Sequence, residues 1–117
     1  MSRIENAKIT SVDLSMADYG CLTLSMCLEG AGWGVIFGGR VLGRGYVGAK
    51  EFEGSSKGIE EIMRIMDVVG SDTFNGMKGK YVRVEVNGAD FVSKIGNIIE
   101  DKWFDYKEFY KKETAEE

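Results

Sequence analysis

Residues 29 to 48, EGAGWGVIFGGRVLGRGYVG, hold eight of the chain's sixteen glycines, and the last six, Gly43-Arg44-Gly45-Tyr46-Val47-Gly48, have the spacing G-x-G-x-x-G. In a dinucleotide-binding unit these glycines close a tight turn after a strand and open a helix whose N-terminus holds a pyrophosphate. That reading requires a helix beginning near Gly45. Here Gly54-Ser55-Ser56 interrupts the chain before three turns could form. The surrounding segments also lack the strand-helix alternation of a parallel sheet, so the stretch argues for a different fold. Residues from about 40 to 56 are expected to form a glycine-rich loop.

The flanking segments read as strands. CLTLSMCLE places Leu22, Leu24, Met26 and Leu28 on one face and Cys21, Thr23, Ser25 and Cys27 on the other. NAKITSVDLS precedes it as a first strand, with Ala17-Asp18-Tyr19-Gly20 as the turn between them. GWGVIFGG continues as a third, with Trp33, Val35 and Phe37 on one face and glycines that let another backbone or a ligand approach closely.

The period then changes. Ile59, Ile62, Met63, Met66 and Val69 have helical spacing, with Ser56 as N-cap and Gly70 just past the end. KYVRVEV and FVSKIGNII surround Asn87-Gly88 as a hairpin. Its register stays open, since a two-residue loop opposes Glu85 to Asp90 and a four-residue loop opposes Arg83 to Lys94, like charges in both cases. Near the end, Asp105 with Glu108 forms a capping box, and Phe104 with Phe109 a hydrophobic staple, starting a short helix. The expectation is a single α+β domain over residues 1–117, an antiparallel sheet of about five strands with one central helix and a short C-terminal helix. A disordered tail is expected from about residue 113.

Composition narrows the function. Fifteen basic against nineteen acidic residues give a net charge of −4, with no run of Lys or Arg for a nucleic-acid polymer. No apolar segment has the length of a signal peptide or a membrane span, which points to a soluble cytoplasmic protein. Cys21 and Cys27 share one strand, about 20 Å apart at ~3.3 Å per residue, and cannot bridge. With no histidine in the chain, a zinc site is not expected. Nor is a general base of the usual kind present, and no nucleophile-elbow, zincin or Walker pattern occurs. Glu60/Glu61 and Glu100/Asp101 are adjacent pairs that do not face one another, and read as solvated surface. No cofactor or metal is expected, and no catalysis.

Binding has more to work with. NIIEDKWFDYKEF mixes Asn97, Asp101, Lys102, Trp103, Phe104 and Tyr106, and a ring beside an ammonium suits a nucleotide, one stacking the base and the other facing phosphate. The same aromatics can instead dock the last helix. Arg64 is a surface arginine, an ion-pair partner or a phosphate ligand. Gly38-Gly39 either turns the chain or exposes N–H groups to an anion, next to Trp33 and Phe37.

Five stretches taken together, IENAKITSV, LEGAGWGVIFGG, IMRIMDVVG, KGKYVRVEV and KIGNIIEDKWFDYKEF, resemble the phage-encoded Thoeris anti-defence family of the first-described type. The likeness runs over nearly the whole chain and is weakest at residues 40 to 56. It implies a non-enzymatic sponge for the glyco-cyclic ADP-ribose signals of bacterial TIR-domain defence, acting in the host cytoplasm as a homo-oligomer. The apolar Trp33-Val35-Phe37 face of so small a chain also argues for self-association. Sites between subunits are expected because small-ligand pockets often form at such boundaries. Some members of that family also bind cyclic oligonucleotides at a separate site. The other class of function open to this sequence is a non-enzymatic protein-interaction module, with a nucleotide-cleaving enzyme third.

Overall fold

The computed structural model describes residues 2–18, 20–46, 51–87 and 91–115. Among the described residues seven strands form one antiparallel sheet: β1 (Ser2–Asp18), β2 (Cys21–Gly30), β3 (Trp33–Tyr46), β4 (Glu51–Gly54), β5 (Tyr81–Asn87), β6 (Phe91–Asn97) and β7 (Trp103–Asp105). Their order is β4-β3-β2-β1-β5-β6-β7. Helix α1 (Ser56–Val69) lies between β4 and β5 in the chain, followed by a 3-10 turn at Asn75–Met77, and α2 (Tyr106–Ala115) follows β7.

The α+β class is as expected, but the sheet has seven strands rather than five. The two additions are the short edge strands β4 and β7, too brief to show a period. β4 lies within the stretch expected to be a loop, and β3 runs on through Gly43 and Gly45 to Tyr46. The G-x-G-x-x-G spacing is thus strand for its first two glycines; Gly48 lies outside the described residues. Glycine without a Cβ is tolerated there because Phe52, the partner of Gly45, covers it.

β1 is long because it serves two hairpins. Ser2–Lys8 pairs with β5 and Lys8–Asp18 with β2. A bulge at Thr10 resets the alternation, so that Ile9 and Val12 both turn to the core. The β5–β6 register solves the charge problem in the same way. A bulge between Glu85 and Val86 sets Glu85 opposite Lys94 and Arg83 opposite Gly96. Residues 88–90, which include Asp90, lie outside the described residues.

Helix α1 crosses the concave face against β3, β6 and β7, and the sheet curls enough for β3 to approach β6. The core joins Ile9, Leu24, Met26, Leu28, Val82, Val84, Val86 and Ile95 from the sheet to Ile65, Val68 and Val69 from α1. Burying each such side chain stabilises by about 1.5–3 kcal/mol. Ser55, rather than Ser56, caps α1 by accepting from the Gly58 N–H at 3.1 Å, and Gly70 ends it at φ 85° with its N–H on the Met66 carbonyl.

The buried face of α1 is Gly58, Glu61, Ile65, Val68 and Val69. This is rotated from the stripe the sequence suggests, and Ile59 and Met63 stand exposed. The capping of α2 is as expected: Asp105 Oδ1 accepts from the N–H groups of Lys107 and Glu108, and Phe104 packs on Phe109 at 5.2 Å between ring centroids. The helix runs through Ala115, and of the expected tail residues 116 and 117 lie outside the described residues.

Candidate functional site

Three elements meet where the sheet curls. On β3, Gly38 and Gly39 take φ of 113° and 99°, a conformation that L side chains avoid, and β3 gains an extra residue against β2. A Cβ on Gly38 would also run into the Leu24 carbonyl oxygen. The bulge flips the strand's phase, so that Phe37 and Leu42 both point inward and Arg40 stands exposed between them. The glycine pair therefore turns the chain and aims Arg40.

Arg40 is fixed by α2. Its backbone N–H donates to the Tyr106 hydroxyl at 2.9 Å, and its guanidinium lies 5.4 Å from the Tyr106 ring centroid and 5.0 Å from that of Tyr110. Phe37 meets Tyr106 edge to face at 5.4 Å. From α1, the Lys57 ammonium is 4.0 Å and the Arg64 guanidinium 5.8 Å from the Phe109 ring centroid. Arg64 also pairs with Glu60 at 2.5 Å, an exposed i,i+4 pair of small stabilising effect. Three cations from β3 and α1 thus surround three aromatic rings of α2.

Beneath them lies Glu61, with none of its surface exposed. Tyr110 donates its hydroxyl to Oε1, while Oε2 is buried with no hydrogen-bond partner among the described residues. Burial raises the Glu61 carboxyl above its ordinary range, opposed by the hydroxyls of Tyr110 and Tyr106 and by the charge of Arg40. Burial, followed by the nearness of Glu61, pushes both tyrosines up as well, so their hydroxyls stay protonated donors. The adjacent-pair reading placed Glu61 on a solvated surface; the rotation of α1 and the arrival of α2 put it in the interior instead.

A second group surrounds the loop after β6. Buried Asn97 donates from Nδ2 to the Val68 carbonyl at 2.8 Å, and its Oδ1 accepts from the N–H groups of Ile99 and Glu100 at 2.9 and 2.8 Å. Asn97 is thus a structural tie between α1 and the loop. Lys102 Nζ faces the Asp67 carboxylate at 3.5 Å and that of Glu100 at 3.9 Å. Asp101 accepts from the Trp103 indole N–H at 3.0 Å. Trp103 has the Arg83 guanidinium 4.8 Å and the Lys94 ammonium 5.3 Å from its ring centroid. Arg83 in turn donates to the carbonyls of Asn97 and Glu100 at 2.7 and 2.8 Å. Phe104, 3% exposed, is core, and its ring offers no face to a base.

The sequence-derived candidates are therefore divided. Phe37, Gly38, Gly39 and Arg64 belong to the first group; Asn97, Asp101, Lys102 and Trp103 belong to the second. Trp33 has a third set of partners, its indole N–H donating to Glu5 Oε1 at 2.8 Å beside Arg3. Arg3 and then Trp33 hold the Glu5 carboxyl below its ordinary range. Tyr106, from the same aromatic and charged stretch, joins the first group, whereas Arg40, Lys57, Glu61, Phe109 and Tyr110 are not among the binding candidates the sequence offers. The available signal was local: an arginine directly after a glycine pair, and aromatics at i, i+3 and i+4 behind a capping box.

Two open clefts lie apart from this chemistry, one of about 500 Å³ beside Arg44, Glu53 and Ser55, and one of about 400 Å³ beside Asn6, Lys80 and Tyr81. Among the described residues no group of three or more acidic or cysteine side chains is arranged to hold a metal ion, and no helix is long and apolar enough to cross a membrane. The chain matches no protein-family model, no curated protein and no solved structure.

Proposed function

We propose that this chain captures a nucleotide signal of the glyco-cyclic ADP-ribose class and sequesters it uncleaved, so that a phage carrying it blocks Thoeris-type signalling in the bacterial cytoplasm. The observation that carries the reading is the convergence of Arg40, Lys57 and Arg64 on the rings of Tyr106, Phe109 and Tyr110. A diphosphate asks for clustered cations and adenine asks for a π-face, and this cluster supplies both within one turn of helix. The sequence resemblance supports the choice of ligand. Binding without turnover is favoured by the chemistry of the cluster, whose tyrosines are held protonated, whose Glu60 carboxylate is paired with Arg64 and whose Glu61 carboxyl is buried away from solvent.

Self-association belongs to the same proposal. Leu14, Met16 and Phe52 stand exposed on β1 and β4, as do Ile59 and Met63 on α1, and these side chains are available to a second copy of the chain. The same surface favours the second reading, an interaction module. Recovery of ligand separates the possibilities. The protein is incubated with glyco-cyclic ADP-ribose, removed from solution with whatever it holds, and heat-denatured. Depletion followed by intact return supports capture; a changed molecule indicates an enzyme; no depletion leaves the interaction module.

A further inference from the structure

We propose that Glu61 is a positioning residue of the anion site that works as a protonated acid, so that capture of an anion by Arg40 takes up a proton at Glu61. The ligand half of this inference rests on the nucleotide-binding reading above; the proton half rests on the protein alone.

An ionised carboxylate seeks several donors, and a buried one without them is costly. Glu61 has the Tyr110 hydroxyl on Oε1 and, among the described residues, no hydrogen-bond partner on Oε2. The groups that bear on it are Tyr106 and Tyr110 from α2 and Arg40 from β3, with Lys57, Glu60 and Arg64 flanking it on its own helix. Arg40 is a cation whose charge bears on Glu61, yet no ion pair joins the two among the described residues. Its guanidinium lies instead over the two tyrosine rings whose hydroxyls bear on Glu61. The neutral acid leaves that guanidinium available to an external anion, while the carboxylate would compete for it.

The linkage has a definite sign. Arg40 favours the ionised form of Glu61, and burial opposes it more strongly. An anion bound at Arg40 cancels the favourable field and raises the Glu61 midpoint further. Binding must then take up a proton between the free and bound midpoints, and affinity falls there with rising pH by at most about tenfold per pH unit. The tyrosines transmit the state of Glu61 to α2, because Tyr110 loses a carboxylate acceptor when the acid is protonated and its ring remains stacked near Arg40.

The test is a carbon-13 titration of the Glu61 side-chain carboxyl, assigned by its loss in Glu61→Gln. In the protein alone, its midpoint should lie above those of the exposed glutamates. Arg40→Met, which removes the same charge that a bound anion neutralises, should raise it further with no ligand present. A midpoint in the ordinary glutamate range, or one that Arg40→Met leaves unmoved, overturns the inference. ADP-ribose, whose diphosphate keeps its charge from about pH 5 to 8, should add to the shift in the wild-type protein and bind with proton uptake that Glu61→Gln abolishes. Binding with no proton uptake overturns the inference while leaving the nucleotide reading standing. Failure of ADP-ribose to bind, with the Arg40→Met shift intact, upholds the proton half and sinks the ligand half.

Discussion

Trp103 lies over Gly96, its cross-strand partner on β6, so closely that a Cβ on Gly96 would come within 2.5 Å of the indole ring. The ring is thereby held against the sheet between Arg83 and Lys94 rather than packed into the core. Gly96→Ala should push the indole off the sheet at a cost of about 1–3 kcal/mol. Urea denaturation and tryptophan emission, read in a Trp33→Phe background, check this; an unchanged midpoint and spectrum would contradict it.

Arg40 and Lys102 should differ as ligand contacts. Lys102 already faces Asp67 and Glu100, whereas the Arg40 guanidinium lies over the Tyr106 and Tyr110 rings and is in no ion pair among the described residues. Arg40→Ala should weaken binding of glyco-cyclic ADP-ribose by roughly tenfold or more and flatten its salt dependence. Lys102→Ala should change affinity by less than about threefold. Calorimetric titration at two ionic strengths decides; a larger loss at Lys102 would move the phosphate site to the loop after β6.

Glu61 also sets a pH dependence of stability. Its folded midpoint is raised, so as pH rises the unfolded chain gives up the proton first, and the favourable contribution present at low pH is lost up through the folded midpoint. Glu61→Gln should therefore match the wild type near about pH 4 and become progressively the more stable of the two towards neutrality. Denaturant midpoints across that range measure it; a Gln variant less stable at neutral pH than at acid pH, relative to wild type, would reverse the sign.

At Gly38 the φ of 113° and the nearness of the Leu24 carbonyl act together. Gly38→Ala should cost about 2–4 kcal/mol and release Arg40 from its place over the tyrosines. Thermal melting, with anion affinity measured on the surviving folded fraction, tests both effects.

Phe52 is 79% exposed beside Met16 and covers Gly45. Phe52→Glu should weaken self-association by at least about tenfold, since it puts a charge into an apolar contact. Light scattering over a concentration series reads this out, and a wild-type protein that stays at 13.0 kDa throughout removes the assembly proposal.

What could be read from the sequence was what local chemistry controls. The inward row Leu22 to Leu28, the glycine end of α1 and the Asp105 cap each depend on residues within a few positions of one another. The bulges at Gly38 and between Glu85 and Val86 depend on a partner strand, and so does the strand β4 inside an apparent loop. Glu61 is the clearest case. Its burial follows from α2, which lies far along the chain, and from a rotation of α1 that left Ile59 and Met63 outside. The candidate site suffered the same limit: rings and cations were legible as residue types, but which of them meet is decided by the curl of the sheet.

The double use of β1 imposes an order on folding. Lys8–Asp18 can pair with β2 as soon as that strand exists, but Ser2–Lys8 must wait for Tyr81–Asn87, which is synthesised far later. During that interval the first strand presents an open edge and the apolar side chains of Ala7 and Ile9, which the finished protein buries almost completely. Long-range closure of this kind is slow compared with hairpin formation. A chain that pairs β1 with β2 before β5 is in place would carry one unpaired arm, and on that account yield at high expression levels should depend more on how fast β5 arrives than on how stable the completed fold is.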